Sequence, residues 1–197
     1  MFITPVPKKP IQELPQNLMS TPITLLDEIL DDWYVVRKGL IKELNNIPPT
    51  RFSFRATLEM RSVTELVQHV LEMSIMTVEE LLREDTNFHR APYSQLLHYY
   101  APNIYKADTP QQLVDLLVEQ YKDSASRLRT VGTLFLLQFV TRSDGSRGTR
   151  MSVLRDAFAH ENYHRGQLTV YVRLLGLVPV LTRELERPPL PQINTGS

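Results

Sequence analysis

The sequence predicts an all-α fold, an antiparallel four-helix bundle. Three observations carry that prediction: four amphipathic stretches of about 20 residues or more, capping signals at their starts, and proline- or glycine-marked connections between them. One ambiguity sits inside it, a short extended hairpin ahead of the last helix.

Taken in order, residues 1–20 form a Pro-rich arm that cannot propagate a helix and is expected to lie extended over the domain. The first helix is expected to open on Thr21 as N-cap, with Pro22 at its first position. Leu26, Ile29, Trp33, Val36, Leu40 and Leu44 then recur at helical spacing until Asn45-Asn46 and Pro48-Pro49 end the run. Trp33, in mid-stripe, reads as a core anchor. Ser62-Val63-Thr64-Glu65 spells a capping box before the second helix, whose inner face runs from Val63 through Leu66, Val67, Val70, Ser74, Thr77 and Val78 to Leu81. His69 falls on the margin of that face.

The stretch from 85 to 107 is irregular or holds a short helix near Tyr93–Tyr100, and its aromatics read as filler or as a roof over a pocket. Asp108-Thr109-Pro110 starts the third long helix, with Leu113, Leu117, Tyr121, Ser124, Leu128 and Val131 along its stripe. That helix either continues to about Val140 or stops near Gly132, giving way to an extended excursion that turns back at Asp144-Gly145; the tight-turn dipeptide favours the second course. The last helix begins near Thr149 or Ser152 and runs to Leu175, where Gly176 and Pro179 stop it. Residues 21–180 thus make one bundle domain, and 181–197 a Pro-rich tail.

Composition narrows the function classes. Twenty-two basic residues against twenty-two acidic ones leave no net field, so charge offers no case for nucleic acid or an anionic membrane as partner. No apolar run approaches the roughly 18 residues of a membrane span, the first twenty residues lack the apolar core of a secretory signal, and a cytoplasmic home is expected. The absence of cysteine removes disulfides, thiolate ligands and a thiol nucleophile together. Any metal ligand must be His, Asp or Glu.

His160 and His164 sit four apart in His160-Glu161-Asn162-Tyr163-His164. Roughly one shuffled chain of this composition in ten would hold such a pair, so spacing alone does not decide its role. A helical wheel puts Ala157, His164, Leu168, Tyr171 and Leu175 on one face, with His160 at one side and Glu161 at the other. A bundle can bring His69 from the second helix opposite that pair. Three neutral imidazoles suit Zn, Ni, Fe or Cu and leave open positions, which metal-assisted chemistry needs. The alternative is a histidine pair satisfied by backbone and carboxylate hydrogen bonds. His89 and His98 have no partner at ligand spacing and read as surface or structural residues.

The string HENYHRGQ at 160–167, followed by YVRLLG at 171–176 and Pro179, together with RSVTELVQH at 61–69, resembles the DinB-like superfamily of small four-helix proteins over roughly residues 20–180. The resemblance implies His69, His160 and His164 as ligands of one divalent transition metal ion, Zn or Ni first and Fe as a further candidate, in a protein that is often a homodimer. It implies a small-molecule substrate, with a low-molecular-weight thiol among the candidates, and chemistry of the thiol-transferase or hydrolase type. A non-catalytic metal-binding or stress-related bundle is the alternative. Gln167 either contacts a bound substrate, orients a ligand or is simply solvated; Arg165 faces away from the core and reads as an ion-pairing or dimer residue.

His160-Glu161-x-x-His164 is also literally the zinc-protease motif, with Glu161 as general base. The extended form of that motif fails because no histidine follows His164, and Glu184 and Glu186 lie beyond Gly176 and Pro179 with no second helix to hold them. Glu161 is therefore a candidate for orienting a ligand or acting as a base, or else the buried partner of an arginine on a neighbouring helix.

Overall fold

The computed structural model describes Leu14 and residues 24–186. Helix α1 spans Leu25–Asn46, α2 Val63–Leu81, α3 Tyr93–Tyr100, α4 Pro110–Leu136, α5 Arg150–Leu174 and α6 Val180–Leu185; strands β1 (Phe139–Thr141) and β2 (Arg147–Thr149) precede α5. No described helix is long and apolar enough to cross a membrane. The four long helices pack as a bundle in which α5 lies against both α1 and α2, and α4 against the same two. That places α5 where one face can reach α1 and an adjacent face α2.

The local signals account for most element ends. Ser62 Oγ accepts from Glu65 N (3.2 Å) and Glu65 Oε2 accepts from Ser62 N (2.6 Å), closing the expected capping box on α2. Ser62→Ala should cost about 1 kcal/mol, lowering the melting temperature by roughly 2–4 °C in a thermal scan. Thr109 caps α4 and Pro110 opens it. At the end of α5, Gly176 takes φ 76°. Its N–H reaches Arg173 O and that of Leu177 reaches Val172 O, a Schellman closure.

Three expectations change. Helix α1 opens on Thr24, whose hydroxyl accepts from Asp27 N; Thr21 and Pro22 lie outside the described residues, as does the arm except for Leu14, which is buried with its carbonyl on the Tyr34 hydroxyl. The run after Gly132 follows neither course alone. Gly132 (φ 76°, ψ 171°) breaks α4, one more helical turn reaches Leu136, and the extended hairpin then forms, with Phe139 opposite Thr149 and Gly145 at φ 84° in its turn. Thr86 O and Phe88 N bind the backbone of Thr141, which fixes the hairpin to the chain leaving α2. Finally, residues 180–185 are helix rather than tail. Buried Glu43 accepts from the Val180 backbone N (2.9 Å) and Lys42 pairs with Glu184 (2.5 Å), docking α6 onto α1. Residues 187–197 lie outside the described chain.

Among the described residues, two arginines are wholly buried. Arg150 donates to the carbonyls of Leu81, Glu84 and Asp85 and lies 4.4 Å from the Phe135 ring centroid, so it caps the C-terminal end of α2 with a cation. Burial holds its guanidinium below the usual arginine range. Arg37 works at the centre of the bundle, described next.

Candidate metal centre

Helix α5 carries His160 and His164 one turn apart, and its packing against α2 brings His69 to them. One ring nitrogen from each histidine lies within 4.8 Å of the others. The ring centroids are 4.3 Å (His160–His164), 5.0 Å (His69–His164) and 5.3 Å (His69–His160) apart, with the rings close to perpendicular. His164 is buried; the other two are half-buried. The trio that the sequence could only place on two helix margins is therefore assembled.

The neighbours of His69 and His164 match tautomers protonated at Nδ1. His69 Nδ1 is 2.8 Å from Glu72 Oε1, and a carboxylate only accepts, so Nδ1 carries the proton and the Nε2 lone pair is left for the centre. Gln167 Nε2 donates to the Tyr163 hydroxyl, so its Oε1 accepts from His164 Nδ1 (2.8 Å), and His164 likewise turns a bare Nε2 inward. His160 Nε2 stands 3.0 Å from His164 Nε2, a distance that calls for a proton or a cation between them. A tetrahedral ion with nitrogen ligands at 2.0–2.1 Å requires nitrogen separations of about 3.3 Å, a spacing that falls between the 3.0 Å of the His160–His164 pair and the 4.8 Å span of the trio.

Electrostatics favour the ligand form. Burial, then the charges of His164 and His69, push the His160 imidazole down to about 4, so it is neutral at physiological pH. Burial also lowers His164, against the bond from Gln167 that raises it. Burial alone would lift the Glu72 carboxyl, but its bonds from His69 and from the Tyr105 hydroxyl (2.5 Å) hold it below the usual range. A carboxylate that orients a ligating imidazole is a recurrent feature of metal sites. Glu72→Leu should weaken zinc binding about 10- to 100-fold with the trio intact, as read by competition with a chromogenic chelator.

Glu161, the residue the protease motif would use as a base, faces Arg37 and Trp33. It is buried, and both its oxygens are engaged: Oε1 by Arg37 Nε (2.6 Å), Oε2 by Arg37 Nη2 (2.8 Å) and Trp33 Nε1 (2.9 Å). Arg37 spends its remaining donors on Ser74 Oγ, Leu117 O and Gln120 Oε1. One buried network thus ties α1, α2, α4 and α5 together. Its bond to Glu161 fixes the rotation of α5 that aims His160 and His164 at α2. Trp33 is the expected core anchor with one added duty, orienting this carboxylate.

Gln167, of the alternatives open to it, bonds His164 Nδ1 and the Tyr163 hydroxyl. Arg165 lies across α1, its Cζ 2.6 Å from where a Cβ on Gly39 would stand, so glycine there lets the guanidinium lie flat. His89 bonds Ser143 O, and His98 is exposed, both away from the trio. Sequence reasoning missed Glu72, although its position three after His69 on the same helix face was a usable signal. It also missed Arg37, which the apolar stripe gave no reason to place inside.

A family model described as the DinB family matches residues 19–190. Among solved structures, a DinB-like protein of Bacillus subtilis superposes with a TM-score of 0.56 at 20% identity, covering 76% of this chain and 92% of that one. YfiT from Bacillus subtilis, described as a probable metal-dependent hydrolase with an unusual four-helix bundle topology, gives 0.63 at 17% identity over 86% and 94%. A candidate DinB-family member from Exiguobacterium sibiricum gives 0.54 at 25% over 79% and 95%. A search of the curated proteins finds no match.

Proposed function

The chain belongs to the DinB family, and from that premise we propose that it is a metal-dependent enzyme acting on a small molecule, by hydrolysis or by transfer of a low-molecular-weight thiol. His69, His160 and His164 hold one divalent transition metal ion, Zn or Ni first and Fe as a further candidate. The observation that carries this reading is that Glu72 and Gln167 each accept a hydrogen bond from the Nδ1–H of a histidine, which leaves the Nε2 lone pairs of His69 and His164 free within reach of His160. Three nitrogen ligands leave positions open in the coordination sphere.

When bound, the ion supplies Lewis-acid chemistry, acidifying a coordinating water or thiol near neutral pH. The residues of the chain do the positioning. Glu72 holds His69, Gln167 holds His164, and the Arg37–Glu161 pair holds the helix that carries two of the three ligands. Glu161 and Glu72 are committed to these bonds and carry no proton in the reaction. Hydrolysis is the chemistry attributed to YfiT; thiol transfer is the other course the same open-sided site serves.

The test is metal analysis of the purified protein, followed by assay of the metal-loaded form against esters, amides and thiol–electrophile pairs. About one ion per chain, with turnover that a chelator abolishes and the same metal restores, is the expected result. Stoichiometric metal without turnover on any substrate would instead favour a non-catalytic metal-binding bundle. A homodimer belongs to the same proposal, supported by the exposed apolar stripe Tyr163, Val170 and Leu174 along α5. Light scattering should return twice the chain mass, and Val170→Glu should halve it.

A further inference from the structure

Beside the trio lies a cavity of about 290 Å³ between α2, α3, the turn of the β-hairpin and the first half of α5. His160 belongs to both, so the cavity opens onto the candidate metal centre. Its walls are mainly apolar: Val70 and Met73 from α2, Phe88, Leu96 from α3, and Val153 and Ala157 from α5. Methionine adapts its shape to what it packs against, which suits a wall that meets a ligand.

The buried carboxylates in the wall, Glu80 and Glu161, are already paired with arginines, and the remaining charges, Arg142, Asp144 and Asp156, sit at its hairpin rim. Glu80 accepts from Arg90 and from the Tyr100 hydroxyl, Arg142 pairs with Asp156 (3.0 Å), Asp144 accepts from Ser146, and Glu161 is held by Arg37. A charged group entering the interior of the cavity would lose water beside Glu80 and Glu161, whose charges are already matched by arginines. The turn above the cavity is fastened, with Ser143 bonded to Tyr93 through its hydroxyl and to His89 through its carbonyl. The space is therefore built and compact, with its interior apolar and its unpaired charge confined to the hairpin rim.

We propose that this cavity receives the body of the substrate, a compact uncharged group of apolar character, and presents its polar reacting end to the three imidazoles past His160. The inference rests on the metal-centre reading and adds the substrate class to it. Ala157, one turn before Glu161, and Val153, one turn further back, set how large that group can be. Neither residue is part of the metal-binding machinery.

Cobalt-loaded protein provides the test, because its visible spectrum reports the metal and any ligand added to it without requiring turnover. Acetohydroxamate offers a metal-binding head alone, benzohydroxamate adds an uncharged ring, and 4-carboxybenzohydroxamate adds a charge at the far end of that ring. Benzohydroxamate should bind about tenfold or more tighter than acetohydroxamate, since the ring buries apolar surface, and the carboxylate should cancel most of that gain. Ala157→Phe and Val153→Phe should keep the cobalt spectrum and the acetohydroxamate affinity while losing the ring's advantage. Equal binding of the first two ligands to the unaltered protein overturns the inference, as does an advantage that survives both filled-cavity variants. A chain that takes up no cobalt overturns the metal-centre reading and this inference with it.

Discussion

His164→Ala will leave the purified protein with little or no bound metal, while replacement of exposed His98 will leave the content unchanged. The same loss will appear in thermal stability. An ion that binds only the folded chain, supplied at about 1,000 times its dissociation constant, adds about 4 kcal/mol, which for a chain of this size raises the melting temperature by roughly 8–16 °C. The parent should show that rise on adding zinc to stripped protein; His164→Ala should not. The alanine also frees Gln167, whose Oε1 bonds His164 Nδ1, but a lost neutral hydrogen bond of about 1 kcal/mol is too small to mimic the effect. Unchanged metal content in the variant would remove His164 from the ligand set.

Glu161→Ala will strongly destabilise the bundle. It strips a fully buried guanidinium of its carboxylate partner among the described residues and removes the acceptor of Trp33 Nε1. Breaking a buried ion pair from one side costs about 3–5 kcal/mol, so the melting temperature should fall by roughly 6–20 °C. The double variant Arg37→Met/Glu161→Leu should recover part of that loss, because no unpaired charge remains inside. Were Glu161 a catalytic base on an otherwise indifferent scaffold, the single variant would melt with the parent and lose activity alone. A melting temperature within about 2 °C of the parent would therefore refute the structural role assigned here.

What could be read from the residues divides along physical lines. The box at Ser62 and Glu65, the cap at Thr109-Pro110 and the stop at Gly176 act through bonds between residues close in sequence, and each appears where the sequence put it. The hairpin at Asp144-Gly145 was legible for the same reason. The start of α1 was misplaced because Thr21-Pro22 and Thr24 both carry capping chemistry, and local propensity cannot choose between two adequate signals. Helix α6 was not legible, since a six-residue helix is held by Glu43 and Lys42 of α1, far away in sequence.

The metal centre splits the same way. The histidine pair on α5 and the marginal histidine on α2 were each visible, with resemblance joining them into one ligand set. The role of Glu161 was left open between base and ion-pair partner. Nothing local distinguishes those roles, because the deciding group, Arg37, lies 124 positions away.

By itself the sequence determined the helical class, the caps and the residues able to bind a metal, because periodicity, capping and ligand chemistry are properties of short stretches. Only the tertiary structure decided that three imidazoles meet, that Glu72 and Gln167 orient two of them, and that Glu161 is locked to Arg37. Those are contacts between separate helices or choices among rotamers on one helix, and they exist only once α5 is packed between α1 and α2.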